Sequence, residues 1–303
     1  HRREAGGVDS RSDVPKNLTK PVNVLLFVRR SMDECLRADY SWTMNLRIPA
    51  LLIVSTLLAI GCARRGPPPL VVGMELAYPP FEMTDPQGQP AGVSVDLARA
   101  LAAALGRPLK IENTPFDGLI PALKTGRIDL VVSSMTATDE RRQSIDFSEP
   151  YLHTGLAILA GATRSVAGID DLNQPGRTVA VKLGTTGELY ARDVLTNATI
   201  TVLKEETACA LEVTQGKADA FLYDQMSVYQ HWHRNRETTR ALLVPFKQEQ
   251  WAIGVRKGQD SLREQVNAFL QTYRAQGGFD DLADRHLREM KAAFAELGYP
   301  FVF

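Results

Sequence analysis

Five short stretches of the sequence carry residue types suited to holding a small charged molecule. They are Glu75-Leu-Ala-Tyr78-Pro-Pro-Phe81, Thr114-Pro-Phe116-Asp117, the run from Ser133 through Ser134 and Thr136 to Arg141, Lys182-Leu-Gly-Thr-Thr186, and Tyr223-Asp224. Together they supply aromatic walls, an arginine, an aspartate and several hydroxyl and backbone donors, an inventory that suits a zwitterion. Taken singly each has a plainer reading. A lone arginine near a helix start is usually a solvated charge, and a lone tyrosine or phenylalanine in a loop is usually packing.

What groups these stretches is their place in an alternating pattern. Apolar runs at 70–74, 109–112 and 128–132 alternate with helical stretches at 94–105 and 117–125, the order of βαβ units and a largely parallel sheet. Ser94 is expected to cap the first of these helices, and Gly106 and Gly126 to end them. A second round begins near 161, with strands at 178–181, 199–202 and 218–222 and a helix over 207–215. Each chemically promising stretch follows a strand's C-terminal end, where open α/β sheets hold their ligands. The strand at 250–255 and the helices at 260–275 and 279–295 need a partner sheet, so the chain is expected to cross back to the first lobe near 244–250. Lobe 1 then comprises 70–160 and 250–303, and lobe 2 comprises 161–249. The interface between two such lobes is a common place for a small-molecule site.

The run Gly118-Leu-Ile-Pro-Ala-Leu-Lys-Thr-Gly-Arg-Ile-Asp-Leu-Val-Val-Ser-Ser-Met-Thr-Ala-Thr-Asp-Glu-Arg141, continuing to Ile145-Asp-Phe-Ser-Glu-Pro-Tyr151, resembles the signature of the extracellular solute-binding proteins of family 3. These are the polar amino-acid receptors of ABC importers. Tyr78-Pro-Pro-Phe-Glu82, Gly184-Thr-Thr186 and Ala218-Asp-Ala220 followed by Asp224 occur in the family's order, and the likeness covers about 70–287. The resemblance implies a two-lobed α/β periplasmic-binding-protein fold of type II, each lobe a mostly parallel sheet flanked by helices, joined by two crossing segments.

It also implies roles. Arg141 would pair bidentately with a ligand α-carboxylate, a geometry that its planar fork favours over lysine. The backbone N–H groups of Thr136 and Thr186 and the Thr136 hydroxyl would complete that carboxylate's bonds. Asp224, from the other lobe, would accept from the α-ammonium with help from the Ser134 carbonyl, and Tyr78 and Phe116 would form the slot for the side chain. With the two charges on opposite lobes, only a ligand carrying both would favour the closed state. Glu75 and Lys182 bear on the ligand's identity. If both reach the pocket the pair is neutral and suits glutamine; if Lys182 faces solvent, Glu75 favours arginine, lysine or histidine.

The rival reading is an enzyme on the same fold, because cyclohexadienyl dehydratases resemble this family. Turnover of arogenate or prephenate would establish it. Against it, ammonium and carboxylate recognition accounts for the whole pocket inventory, so no enzyme activity, metal or cofactor is expected. His231 and His233 are two residues apart, off a common helix face. No phosphate-binding loop, zinc-protease or nucleophile-elbow motif occurs. A formal net charge of zero from 35 basic and 35 acidic residues gives no field for nucleic acid.

From Met44 the chain reads as an export signal over 44–61: a basic start, an apolar run too short to span a bilayer, then Gly61-Cys62. Leu58-Ala-Ile-Gly-Cys62 resembles a lipobox, so Cys62 is expected to carry lipid and 62–69, rich in proline, to act as a tether. Residues 1–43 are expected to be an upstream extension of the reading frame or disordered sequence. Of three cysteines only Cys209 falls in the folded part, where it reads as a small buried residue rather than a nucleophile. The expectation is a monomer on the extracytoplasmic or periplasmic face, tethered to the membrane and serving an ABC permease with its ATPase.

Overall fold

The computed structural model describes residues 66–299. Cys62, the 44–61 signal and the 1–43 extension lie outside the described residues.

The described residues begin with β1 (Leu70–Met74), whose Leu-Val-Val-Gly-Met run is buried at four of five positions. A near-continuous apolar run of this kind is what a strand covered on both faces requires. A small antiparallel sheet follows, made of β2 (Ala77–Tyr78), β3 (Glu82–Thr84) and β4 (Pro90–Ala91). Then come α1 (Val93–Ala104), β5 (Leu109–Asn113), α2 (Phe116–Thr125), β6 (Leu130–Val131), α3 (Asp139–Ser144) and the long β7 (Asp146–Gly161). The second round is β8 (Thr178–Lys182), α4 (Thr186–Val194), β9 (Thr199–Leu203), α5 (Glu206–Thr214), β10 (Ala220–Asp224) and α6 (Gln225–Arg234). The long β11 (Thr239–Val255) and helices α7 (Asp260–Ala275), α8 (Gly278–His286) and α9 (Arg288–Glu296) complete it.

The strand order is β5-β1-β6-β11-β7-β10-β8-β9. Strands β5, β1 and β6 are parallel, as are β10, β8 and β9. Between these parallel halves lie β7 and β11, antiparallel to each other, with β11 pairing β6 and β7 pairing β10. The two segments that link the lobes are therefore strands themselves, and one ladder runs through both lobes. The register of β11 slips between Leu242 and Lys247, around Pro245, which has no N–H to donate. Opposite it lies Gly155, where a Cβ would meet the Lys247 carbonyl at 2.8 Å. Glycine and proline thus let the two strands cross closely.

Apolar clusters cover both faces of each half. Leu97, Leu101, Val266 and Leu270 hold α1 and α7 to one face of the first, and Leu119, Leu123, Ile128 and Ile145 hold α2 to the other. In the second, Cys209, Val213 and Phe221 lie under α5, and Val179, Ala191, Leu195 and Leu222 under α4. At about 1.5–3 kcal/mol per buried aliphatic side chain, these clusters are what fixes the strand ends relative to one another. Cys209 is buried as a small core residue, and burial pushes its thiol up to about 12.

Two local expectations are corrected. Gly92, not Ser94, precedes α1, and the buried Ser94 hydroxyl points instead to Glu82. The expected 279–295 helix is two helices broken at Leu287, whose side chain is buried in the first lobe's core.

Candidate functional site

A cavity of about 430 Å³, solvent at its mouth included, opens between the lobes. Its walls include Glu75, Tyr78, Phe116, Ser134, Thr136 and Arg141 from the first round of elements and Thr186 and Asp224 from the second. Eight of the nine residues singled out in the sequence are thereby brought together. Lys182 is not part of the wall; it lies behind it.

Arg141 sits on the short α3, where the Thr138 hydroxyl accepts from its backbone N–H at 3.2 Å and caps the helix. The residue is 6 % exposed. One guanidinium nitrogen donates to the Thr136 carbonyl at 2.8 Å and another to the Gly184 carbonyl, across the lobes, at 2.9 Å. The Phe116 ring lies 5.4 Å from its central carbon. Burial lowers its pKa to about 10, so it remains a cation near neutrality, and Glu249 is the leading opposing charge. A guanidinium has five N–H donors, so two carbonyl contacts leave capacity for a ligand carboxylate. Gly184 has φ +76°, and a Cβ there would press on Asp117 at 3.2 Å, which is why a glycine occupies this lobe-to-lobe contact.

Asp224 ends β10 and caps α6. One of its oxygens accepts from the backbone N–H groups of Met226 and Ser227 at 3.0 and 3.1 Å. The other accepts from the Tyr78 hydroxyl, across the lobes, at 2.8 Å. Burial, reinforced by the charge of Glu206, raises its pKa to about 7. Glu206 is itself buried, accepts from the Ser227 hydroxyl and lies 2.8 Å from His231 Nε2. Tyr78 stacks on Phe81 with centroids 5.3 Å apart and meets Tyr223 and Trp251 edge-on, so the floor of the cavity is aromatic.

Glu75 follows β1 and Lys182 ends β8, and their side chains form an ion pair between the lobes. Glu75 also accepts from the Phe116 backbone N–H at 3.3 Å. Removing one partner of a buried pair leaves an uncompensated charge, at a cost of about 3–5 kcal/mol. Lys182→Met is expected to lower stability by that order in urea unfolding, with Glu75→Gln added in the same chain restoring most of it. An unchanged midpoint in the single variant would mean that the pair contributes nothing.

Glu82 accepts hydroxyl bonds from Ser94, Ser133 and Ser134 at 2.6, 3.2 and 3.1 Å. Complete burial raises it to about 8, leaving a neutral acid near pH 7. Ser134 adopts a left-handed φ of 48°, which costs a residue with a Cβ about 1–2 kcal/mol and is common where a site dictates the backbone.

Four wall residues lie outside the stretches picked out in the sequence: Glu82, Leu156, Glu249 and Trp251; Ser133, Thr185 and Tyr223 lie inside them, without a role of their own. Glu82 adjoins the stretch that ends at Phe81. Glu249 and Trp251 lie on β11, whose Gln248-Glu249-Gln250-Trp251 run shows only a strand, and they reach the cavity because Trp251 bridges to Thr136. The Thr136 hydroxyl donates to Glu249 at 3.1 Å, so it is not free for a ligand carboxylate in the way expected. Among the described residues, no helix is long and apolar enough to cross a membrane.

Residues 70–289 match the bacterial extracellular solute-binding proteins, family 3. The L-arginine-binding protein of Pseudomonas aeruginosa is 32% identical over 232 residues, spanning 72% of this chain and 87% of that protein. The L-cystine-binding protein TcyJ of Escherichia coli is 28% identical over 218 residues, spanning 71% and 81%. Among solved structures, an ancestral amino acid-binding protein, a precursor of cyclohexadienyl dehydratase, superimposes with a TM-score of 0.67 at 36% identity, covering 76% of this chain and 99% of that one. An ancestral arginine-binding protein, solved with arginine and with glutamine, also gives 0.67 at 32% identity, covering 72% and 97%. The match along the chain and the two-lobed architecture agree: the protein belongs to the bacterial extracellular solute-binding proteins, family 3.

Proposed function

We propose that the protein is an extracytoplasmic lipoprotein that binds one free polar amino acid, closes its lobes over it and hands it to the permease of an ABC importer driven by its ATPase. The observation that carries this reading is the meeting of Arg141 and Asp224 in one cavity, each bonded across the lobes. Arg141 takes the α-carboxylate, with backbone N–H groups of Thr136 and Thr186 beside it. Asp224 takes the α-ammonium, with the Ser134 carbonyl, and Tyr78 and Phe116 enclose the side chain. The names of the relatives, which bind arginine and cystine, support a free amino acid as the ligand.

The same groups leave no acid or base assigned to a reacting carbon, so the role is binding rather than dehydration. Because Lys182 pairs with Glu75, those two residues together add no net charge around the ligand side chain. The protein works as a monomer, with lobe boundaries near 160 and 250, held to the membrane by lipid on Cys62. Retention of a Cys62→Ser variant in the membrane fraction would refute that anchor. Titration calorimetry of the chain against the twenty free amino acids tests the ligand class. One polar amino acid, or a small set, is expected to bind, and heat from none of them would overturn the reading.

A further inference from the structure

Glu249 is a wall residue with no role in the recognition just described. It lies on the crossing strand β11 and is 6 % exposed. One of its oxygens, Oε2, accepts from the Thr136 hydroxyl at 3.1 Å, and Thr186 of the opposite lobe also hydrogen-bonds the side chain. The other oxygen, Oε1, is fully buried and has no hydrogen-bond partner among the described residues. Buried carboxylate oxygens are nearly always bonded, and the hydroxyl of Thr154, opposite Glu249 on β7, is buried without a partner as well, so this wall holds an unused acceptor that a ligand donor can meet.

The charges around the cavity indicate what kind of donor that is. Glu75 is neutralised by Lys182. Glu82 is supplied by three serine hydroxyls and is a neutral acid near pH 7. In a bound zwitterion the α-carboxylate answers Arg141 and the α-ammonium answers Asp224. Glu249 then remains with two neutral threonine donors and no ion-pair partner within 4 Å among the described residues. An amino acid with an uncharged side chain would close the lobes around a carboxylate that no cation touches, with Lys247 and Arg141 offsetting its charge only from farther away, an expensive arrangement in a water-poor cavity. A ligand with a second cationic group would both pair the charge and satisfy Oε1.

We infer that Glu249 is a specificity-determining residue that accepts, through Oε1, from a second cationic group on the ligand, so that the pocket selects amino acids with a basic side chain. The two threonines act as positioning residues: one from each lobe, they fix the carboxylate only when the lobes are closed. This inference rests on the amino-acid reading above and narrows it, moving the expectation away from glutamine.

Calorimetry on the unaltered chain with arginine and with citrulline, which replaces the guanidinium by an uncharged urea of nearly the same shape, tests it without any variant. Arginine is expected to bind at least about 10-fold more tightly than citrulline, since each charge-assisted contact in a buried site is of that order. Equal affinities would overturn the assignment to Glu249 and leave the amino-acid reading standing. Binding of neither, together with silence across the other amino acids, would overturn the amino-acid reading itself. In Glu249→Gln, arginine affinity is expected to fall by about 10-fold or more while citrulline changes less than about 3-fold, citrulline binding also showing that the variant is folded. Stronger binding of both ligands would instead mean that Glu249 competes with the ligand carboxylate for Thr136 and Thr186, and would sink the proposal.

Discussion

Arg141→Ala is expected to weaken binding of every amino acid the protein accepts by about 100-fold or more, because the lost contact is to the carboxylate that all of them share. Removing one partner of a buried, hydrogen-bonded charge pair costs about 2–5 kcal/mol, and 2.7 kcal/mol corresponds to 100-fold in affinity. Arg141 is buried and its guanidinium already braced by the Thr136 and Gly184 carbonyls, so little ordering remains when the ligand arrives. Arg141→Lys keeps the charge but not the planar fork and should fall between the two. The bond to Gly184 also crosses the lobes, so alanine loosens the ligand-free closed state as well. Calorimetry with each accepted amino acid gives the ratio, and retained tight binding would place the carboxylate subsite elsewhere.

Asp224→Asn separates the charge of that residue from its structural work. Asparagine is as good a helix cap as aspartate: its Oδ1 can keep the bonds from the Met226 and Ser227 N–H groups while its Nδ2 donates to the Tyr78 hydroxyl, so α6 should keep its start. What is lost is the negative charge facing the α-ammonium, and affinity is expected to drop by about 30-fold or more. The carboxyl of the free protein, raised to about 7 by burial and by Glu206, must be ionised to meet an ammonium. Binding therefore pulls its pKa down and releases a proton near neutral pH. Affinity should climb as pH rises towards 7 and level off above it, and the asparagine variant should lose that part of the slope. In stability the sign is opposite. A carboxyl whose folded pKa stands above its ordinary 3.8 destabilises the fold as pH rises through that interval to about 7, so the variant should be less sensitive to alkalinisation there. A variant that binds as tightly as the parent, with an unchanged pH profile, would remove Asp224 from the ammonium subsite.

The site was legible in the sequence where recognition is built at strand ends. Glu75, Arg141 and Asp224 each follow a strand whose apolar run is unmistakable, and the topology then carries them to one cavity. It was not legible where the cavity borrows from the crossing strands. Nothing in Gln248-Glu249-Gln250 separates an inward acid from a solvated one, because the slip around Pro245 and the bridge from Trp251 to Thr136 decide which way Glu249 points. The crossing segments themselves were expected as linkers, and the long pairing of β7 with β11 makes them part of the sheet. Lys182 shows another limit. Its position beside the pocket follows from β8, but a four-carbon stem reaches in many directions, and only the packed structure puts its ammonium on Glu75.

These cross-lobe contacts also bear on how binding is transmitted. Tyr78 to Asp224, Arg141 to Gly184 and Glu75 to Lys182 all join one lobe to the other. A ligand that adds bonds to Arg141 and Asp224 at once shifts the population towards closure by the energy of those bonds. The most direct measurement is a crystal structure of the chain grown with arginine. The α-carboxylate should lie on Arg141 and the α-ammonium on Asp224, with both lobes touching one molecule. Arginine found outside this cavity, or with its carboxylate turned away from Arg141, would contradict capture of an amino acid between the two lobes.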